Sequence, residues 1–172
     1  MNTLLQEDKH RYPNAKIPTF QKIWRKAQKK GISRLVYKPL FVLLRELKCI
    51  DMSVDTNIGG GFYIGHGSCF TINSHAVIGR NCSIHKGALI GRENRGKRKG
   101  VPTIGDEVWI GINAVIVGNI TIGNDVLIAP NAYVNFDVPA HSIVVGNPGV
   151  VKHCEYATEG YINNKVTTET IQ

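Results

Sequence analysis

An aliphatic residue returns at every sixth position through much of the chain. It stands at Ile58 and Ile64, then Ile72, Ile78, Ile84 and Ile90, then Ile104, Ile110, Ile116, Ile122, Ile128 and Val134. The series breaks twice: eight residues separate Ile64 from Ile72, and fourteen rather than an expected twelve separate Ile90 from Ile104, so extra chain should bulge at both points. Gly follows the aliphatic at Gly59, Gly65, Gly79, Gly91, Gly105, Gly111 and Gly123. A small or medium residue stands four places after it, at Ser68, Ala76, Cys82, Ala88, Val108, Ala114, Ile120, Val126 and Ala132. A period of six is neither the 3.6 of a helix nor the two of a half-buried strand, so the signal is internal repetition. It fits a parallel β-helix, in which each hexapeptide makes one flat side of a prism and turns the aliphatic and the small residue inward. Each buried Ile contributes about 1.5–3 kcal/mol, but no coil hides its apolar face alone, so about twelve hexapeptides must stack together.

Outside the array the pattern changes. Residues 1–50 carry no hexapeptides and are basic, with Lys22, Arg25, Lys26, Lys29 and Lys30 close together. Leu35, Val36, Leu40, Leu43, Leu44 and Leu47 recur at helical spacing, and Pro39 is tolerated only near a first turn, which predicts a helix over about 38–48. Such a helix would cap the open first coil, whose unpaired edge otherwise invites association. The alternative use of this basic, amphipathic segment is contact with an anionic membrane. The expected organisation is a helical segment over 1–50, a β-helix over 51–153 and a loosely held polar tail over 154–172.

Composition adds exclusions. The 172 residues suit one core, and neither a secretory signal nor a run of 18 apolar residues appears, so the cytoplasm, or its membrane face, is the expected location. Cys49, Cys69, Cys82 and Cys154 show no metal-type spacing and read as reduced thiols. No two histidines stand five positions apart as a His-x4-His zinc pair would, so no metal site is expected. The loop around Arg92, Arg95, Lys97, Arg98 and Lys99 would attract an anion, but no aromatic platform accompanies it and nucleic acid is a poor partner.

The candidate chemistry lies in "IDMSVDTNIGGGFYIGHGSCF". His66, two places after an inward Ile and flanked by Gly65 and Gly67, should project clear of the core. His85 follows an inward Ile and is a candidate acceptor contact, whereas His75 reads as surface. A neutral imidazole near pH 7 is suited to taking a proton from an alcohol, and a carboxylate on its other nitrogen would fix the tautomer.

This stretch and the repeat resemble the hexapeptide-repeat acyltransferases over about residues 51–150, and within them the serine acetyltransferases and their polysaccharide-modifying relatives. That resemblance implies a left-handed β-helix with three hexapeptides per coil. It implies a catalytic His preceded fifteen residues earlier by an Asp, which here are His66 and Asp51, with Asp55 as the fallback acid and an acceptor contact. It further implies acetyl-CoA bound in a groove between subunits of a homotrimer, near Gly91, Gly111, Ala114 and Ala129, with Lys152 after "GNPG" as a phosphate contact. The closing segment "DVPAHSIVVGNPGVV" matches the family's, while Asn135 and Phe136 replace a common Thr-Lys.

The resemblance also has gaps. Serine acetyltransferases carry an Asp directly before the catalytic His and an Arg-His pair before a Pro, where this chain has Gly65 and then Gly100-Val101 before Pro102. Without those clamps a serine zwitterion would be desolvated uncompensated. The expected acceptor is therefore a sugar hydroxyl of a capsule, exopolysaccharide or lipopolysaccharide precursor. Serine O-acetylation and a non-catalytic, membrane-docked hexapeptide scaffold are the alternatives.

Overall fold

The fold is described by a computed structural model for residues 3–14 and 16–167. Each sixth-position aliphatic sits on a short strand. The first coil supplies β1 (Asn57–Ile58), β2 (Tyr63–Ile64) and β3 (Thr71–Ile72), and the second β4 (Val77–Ile78), β5 (Ser83–Ile84) and β6 (Leu89–Gly91). The third supplies β7 (Thr103–Ile104), β8 (Val108–Ile110) and β9 (Val115–Val117), and the fourth β10 (Thr121–Ile122), β11 (Val126–Ile128) and β12 (Tyr133–Val134). The closing hairpin is β13 (Ser142–Val145) and β14 (Val150–His153), the latter antiparallel. The first face stacks β1-β4-β7-β10, the second β2-β5-β8-β11-β13 and the third β3-β6-β9-β12, all parallel. This is the left-handed β-helix. Register aligns Ile58, Ile78, Ile104 and Ile122 in one column, Ile64, Ile84, Ile110, Ile128 and Val144 in a second, and Ile72, Ile90, Ile116 and Val134 in a third.

Two details of the sequence reading change. Ile90 and Ile104 lie on adjacent faces, β6 and β7, so the fourteen residues between them replace one six-residue step and the loop adds eight residues rather than two. It folds back as a small hairpin pairing Glu93 with Gly100. At the first break it is Phe70, not Ser68, that turns inward, and Phe62 fills the same layer. The two extra residues displace the inward position by two.

The open end of the prism is closed by α1 (Thr3–His10), α2 (Thr19–Ala27) and α3 (Ile32–Leu47). The main cap is α2, which the sequence reading missed. Phe20, Trp24 and Ala27 join the core. One row of α2 and its C-terminal flank, Gln21, Trp24, Arg25 and Gln28, donates hydrogen bonds to the exposed carbonyls of the first coil. Gln21 reaches Phe62 at 2.7 Å, Trp24 reaches Val54 at 3.1 Å, Arg25 reaches Ile58 and Gly59 at 3.0 and 2.6 Å, and Gln28 reaches Thr56 at 3.2 Å. Asp8 accepts the Phe62 amide at 2.9 Å, and the Tyr12 hydroxyl accepts the Ile64 amide at 2.6 Å. A coil without a neighbour below must have its backbone groups satisfied by something, and side chains at i, i+3, i+4 and i+7 do it here. The buried Asp8–Arg25 pair, 2.7 Å apart, stays neutral overall beneath that edge.

The predicted 38–48 helix is longer, starting at Ile32, and Pro39 lies in its middle. Pro39 has no N–H to offer the Leu35 carbonyl four residues earlier, and Leu35 stands on the exposed side where water can reach it. Only Phe41 of α3 is buried, against Phe20.

The described part of the tail is firmly held rather than loose. It runs back along the corner between the first and second faces. Asp125 accepts hydrogen bonds from the Ala157 amide (3.0 Å), the Thr158 amide (3.0 Å) and the Thr158 hydroxyl (2.6 Å). Further along, Lys165 pairs with Glu107 and Asn81 exchanges two hydrogen bonds with the backbone of Val166. Polar composition concealed this because the attachment is made by hydrogen bonds.

Candidate active site

His66 stands on the lengthened corner between β2 and β3. It has a positive φ of 61°, as do Gly67 (65°) and Cys69 (56°), and this left-handed run turns the imidazole outward into solvent. Its ring neighbour is His85, with centroids 5.8 Å apart and edge to face. Gly65 makes this approach possible: a Cβ there would lie 2.3 Å from Cδ2 of His85. The absence of the Asp found at this point in serine acetyltransferases is thus tied to a second imidazole lying over the backbone.

The His85 ring is held by Ile110, whose carbonyl lies 2.9 Å from Nδ1. A carbonyl only accepts, so Nδ1 carries the proton and Nε2 keeps its lone pair. Burial, against the raising effect of the Ile110 contact and together with the charge of His66, pulls the His85 pKa below the ordinary imidazole value. His85 is a neutral partner near pH 7.

On its far side His85 packs on Trp109, centroids 4.6 Å apart, and Trp109 meets Tyr161 of the tail at 5.0 Å. A pocket of about 320 Å³ opens here, lined by Tyr12, Tyr63, His85, Trp109, Tyr161 and Arg11, with Asn163 and Asn164 at the tail side. Arg11 is buried and donates to the carbonyls of Gly61 (2.6 Å) and Asn163 (2.9 Å) and to the hydroxyl of Ser83 (3.1 Å). Its pKa is lowered by burial. It therefore staples the α1–α2 loop, the second face and the tail around the pocket. Sequence reasoning missed this site, although one signal was available. Tyr63, Ser83 and Trp109 are consecutive outward positions of one face, and writing the hexapeptides in three columns places them in register.

The other candidates are distributed as follows. Asp51 bridges to Thr71 beneath the corner that carries His66; its side chain is exposed, and among the described residues no hydrogen bond joins it to His66. Asp55 is occupied by Arg34 of α3 in a two-pronged ion pair at 2.7 Å, with no contact to His66 or His85. That hydrogen-bonded pairing holds its carboxyl below the usual range. Ala114 lies fully in the core, so its methyl cannot line a groove. Gly91 is packed against Leu89 and Val117, Gly111 crosses closely over Ala129 and Pro130, and Lys152 is exposed on β14. Arg92, Arg95, Lys97, Arg98 and Lys99 are exposed, with Arg98 donating to the Asn135 carbonyl. Cys82 is buried and its thiol is pushed up to about 12 by burial, which leaves it inert as a nucleophile. Among the described residues no three His, Cys, Asp or Glu side chains converge as a metal site would require.

The chain matches the model of the bacterial transferase hexapeptide (six repeats) over residues 102–135. It is 35% identical to a serine acetyltransferase of Synechococcus elongatus over 109 residues, which is 63% of this chain and 45% of that one. It is 34% identical to the serine acetyltransferase of Helicobacter pylori over 112 residues, 65% of this chain and 66% of that one. The crystal structure of Neisseria gonorrhoeae serine acetyltransferase in complex with serine aligns with a TM-score of 0.62 at 32% identity, over 76% of this chain and 53% of that chain. The chain thus spans about half the length of several relatives it matches. These relatives overturn the sugar acceptor expected from the missing Arg-His clamp. The expectation failed because it judged the acceptor from two absent groups alone; what stands beside Gly65 in this chain is the ring of His85.

Proposed function

We propose that this chain, built on the bacterial transferase hexapeptide repeat, is an acetyl-CoA-dependent O-acetyltransferase of the serine acetyltransferase kind, with the serine hydroxyl as acceptor. The observation that carries the reading is an exposed imidazole, His66, on an inserted corner of this repeat, set against the neutral His85 on a scaffold similar to a serine-bound relative. In the proposed reaction His66 removes the hydroxyl proton as the serine oxygen attacks the acetyl carbonyl. The tetrahedral intermediate collapses, the C–S bond breaks, and His66 returns its proton to the departing thiolate. A neutral His85 suits this, since a second imidazolium at 5.8 Å would oppose the charge that develops on His66. Asp51, beneath the same corner, is the proposed acid whose charge favours that imidazolium.

The donor is proposed to lie between protomers of a homotrimer. Support comes from the placement of the corners: His66 stands between the second and third faces, whereas the basic loop leaves between the third and first. One protomer keeps these apart across a whole face, and a neighbouring copy could bring a loop of five cations to the His66 corner. That charge suits the phosphates of CoA. Gly111, Ala129 and Lys152 remain candidate donor contacts.

The test is transfer from acetyl-CoA to L-serine, with O-acetylserine identified as product, beside a panel of saccharides and other hydroxy acids. Formation of O-acetylserine at a rate well above the other acceptors is expected. Absence of serine turnover while another acceptor is acetylated would refute the assignment.

A further inference from the structure

The third helix leaves an apolar face bare. Ile32, Leu35, Val36, Leu40, Leu43 and Leu47 follow i, i+3, i+4 spacing along one side of α3, and Ile32 is 80%, Leu35 76%, Leu43 57% and Leu47 70% exposed. The opposite side is the one that carries the buried Phe41. Single exposed leucines are ordinary, but a continuous stripe marks a docking surface. The charge around it narrows the occupant. Residues 16–50 hold ten Lys or Arg and a single acid, Glu46. Lys38 borders the stripe and Lys29 and Lys30 stand just before the helix, and among the described residues these three are exposed and make no ion pair, whereas Arg34 and Arg45 turn toward the β-helix on the side of Phe41, to Asp55 and the Met52 carbonyl.

We propose that α3 is a seat for an anionic lipid surface. The helix lies in the plane of the interface, with the leucine stripe at the acyl boundary and the lysines against headgroup phosphates. A second copy of the chain is the poorer occupant, because pairing two such faces would set cations against cations. No described helix is long and apolar enough to cross a membrane, so the contact is peripheral. The proposal is independent of which acceptor the catalytic site uses.

The experiment is sedimentation of the full chain with vesicles of phosphatidylcholine alone or mixed with phosphatidylglycerol, for wild type and Leu35→Glu/Leu43→Glu. Both substitutions fall on solvent-facing positions, and circular dichroism and acetyl transfer from acetyl-CoA should be unchanged in the variant. Wild type is expected to bind the anionic vesicles, to lose about tenfold in affinity when salt rises from near zero to half molar, and to lose binding in the variant. No binding to anionic vesicles at low salt would overturn the proposal. So would equal binding to neutral vesicles, or a variant that sediments as a smaller oligomer with vesicle binding intact, which would give the stripe to a second copy.

Discussion

Replacing Asp125 by Ala should release the tail and loosen the pocket without unfolding the prism. Asp125 takes three hydrogen bonds from the tail, the amides of Ala157 and Thr158 and the hydroxyl of Thr158, at 3.0, 3.0 and 2.6 Å. A hydrogen bond to a charged group is worth about 1.5–3 kcal/mol, and the three are not additive because freed amides regain water, so a net loss of about 3 kcal/mol is expected. That shifts the tail's opening equilibrium by about two orders of magnitude. Because Tyr161, Asn163 and Asn164 share the pocket with His85, the candidate acceptor contact, KM for the acceptor should rise more than kcat falls. The carboxyl also sets a pH dependence. Burial pushes Asp125 up, but its hydrogen bonds from Thr158, His141 and Ala157 prevail and hold it below the ordinary carboxylate value of 3.8. Its contribution is therefore present above about pH 4 and lost as pH falls through the lower, folded-state pKa. His141, raised above 6.5 chiefly by its hydrogen bond to Asp125, acts in the opposite sense. Its contribution is present below pH 6.5 and fades as pH rises through the folded value, so the tail is held best between the two. The assay is hydrogen exchange at residues 155–165 from pH 3 to 8, wild type beside Asp125→Ala and Asp125→Asn. Unchanged protection in Asp125→Ala, or protection in wild type that increases on acidification below pH 4, would refute the reasoning.

Other consequences follow from the same contacts. Arg25→Ala strands the buried carboxylate of Asp8 and the carbonyls of Ile58 and Gly59, and should cost about 3–5 kcal/mol in denaturant unfolding. A loss below about 1 kcal/mol would mean the cap is not held as described. Gly65→Asp, which installs the residue seen in serine acetyltransferases, would force a Cβ to 2.3 Å from His85 and displace the ring. It should lower kcat/KM for serine about tenfold or more, since misplacement near the base is costly; a gain in serine turnover would show that His85 is not part of the site.

The prism was legible from the chain because a six-residue period has no other cheap explanation: inward Ile side chains must stack in register, and the ladders of Ile64, Ile84, Ile110 and Ile128 follow directly. The size of an insertion was not legible. Ile90 and Ile104 fit the period whether the chain takes one step with a long loop or two with a bulge, and only the strand pairing distinguishes them. Leucine spacing points to α3 as the cap, whereas closing an open coil calls for donors, and Gln21, Arg25 and Gln28 carry no apolar signal. His66 could be singled out from its flanking glycines, and its exposure agrees with that reading. Its partners could not. The pocket joins residues 12, 63, 109 and 161, which no local motif relates. The acceptor was read from missing groups, and the relatives corrected it.

The most direct measurement is release of CoA thiol from acetyl-CoA in the presence of L-serine, wild type beside His66→Ala. With His66 as general base, turnover should fall by about 10²–10⁴ in a variant that keeps its circular dichroism spectrum. Equal turnover in a folded His66→Ala would contradict the assignment of this imidazole as the base.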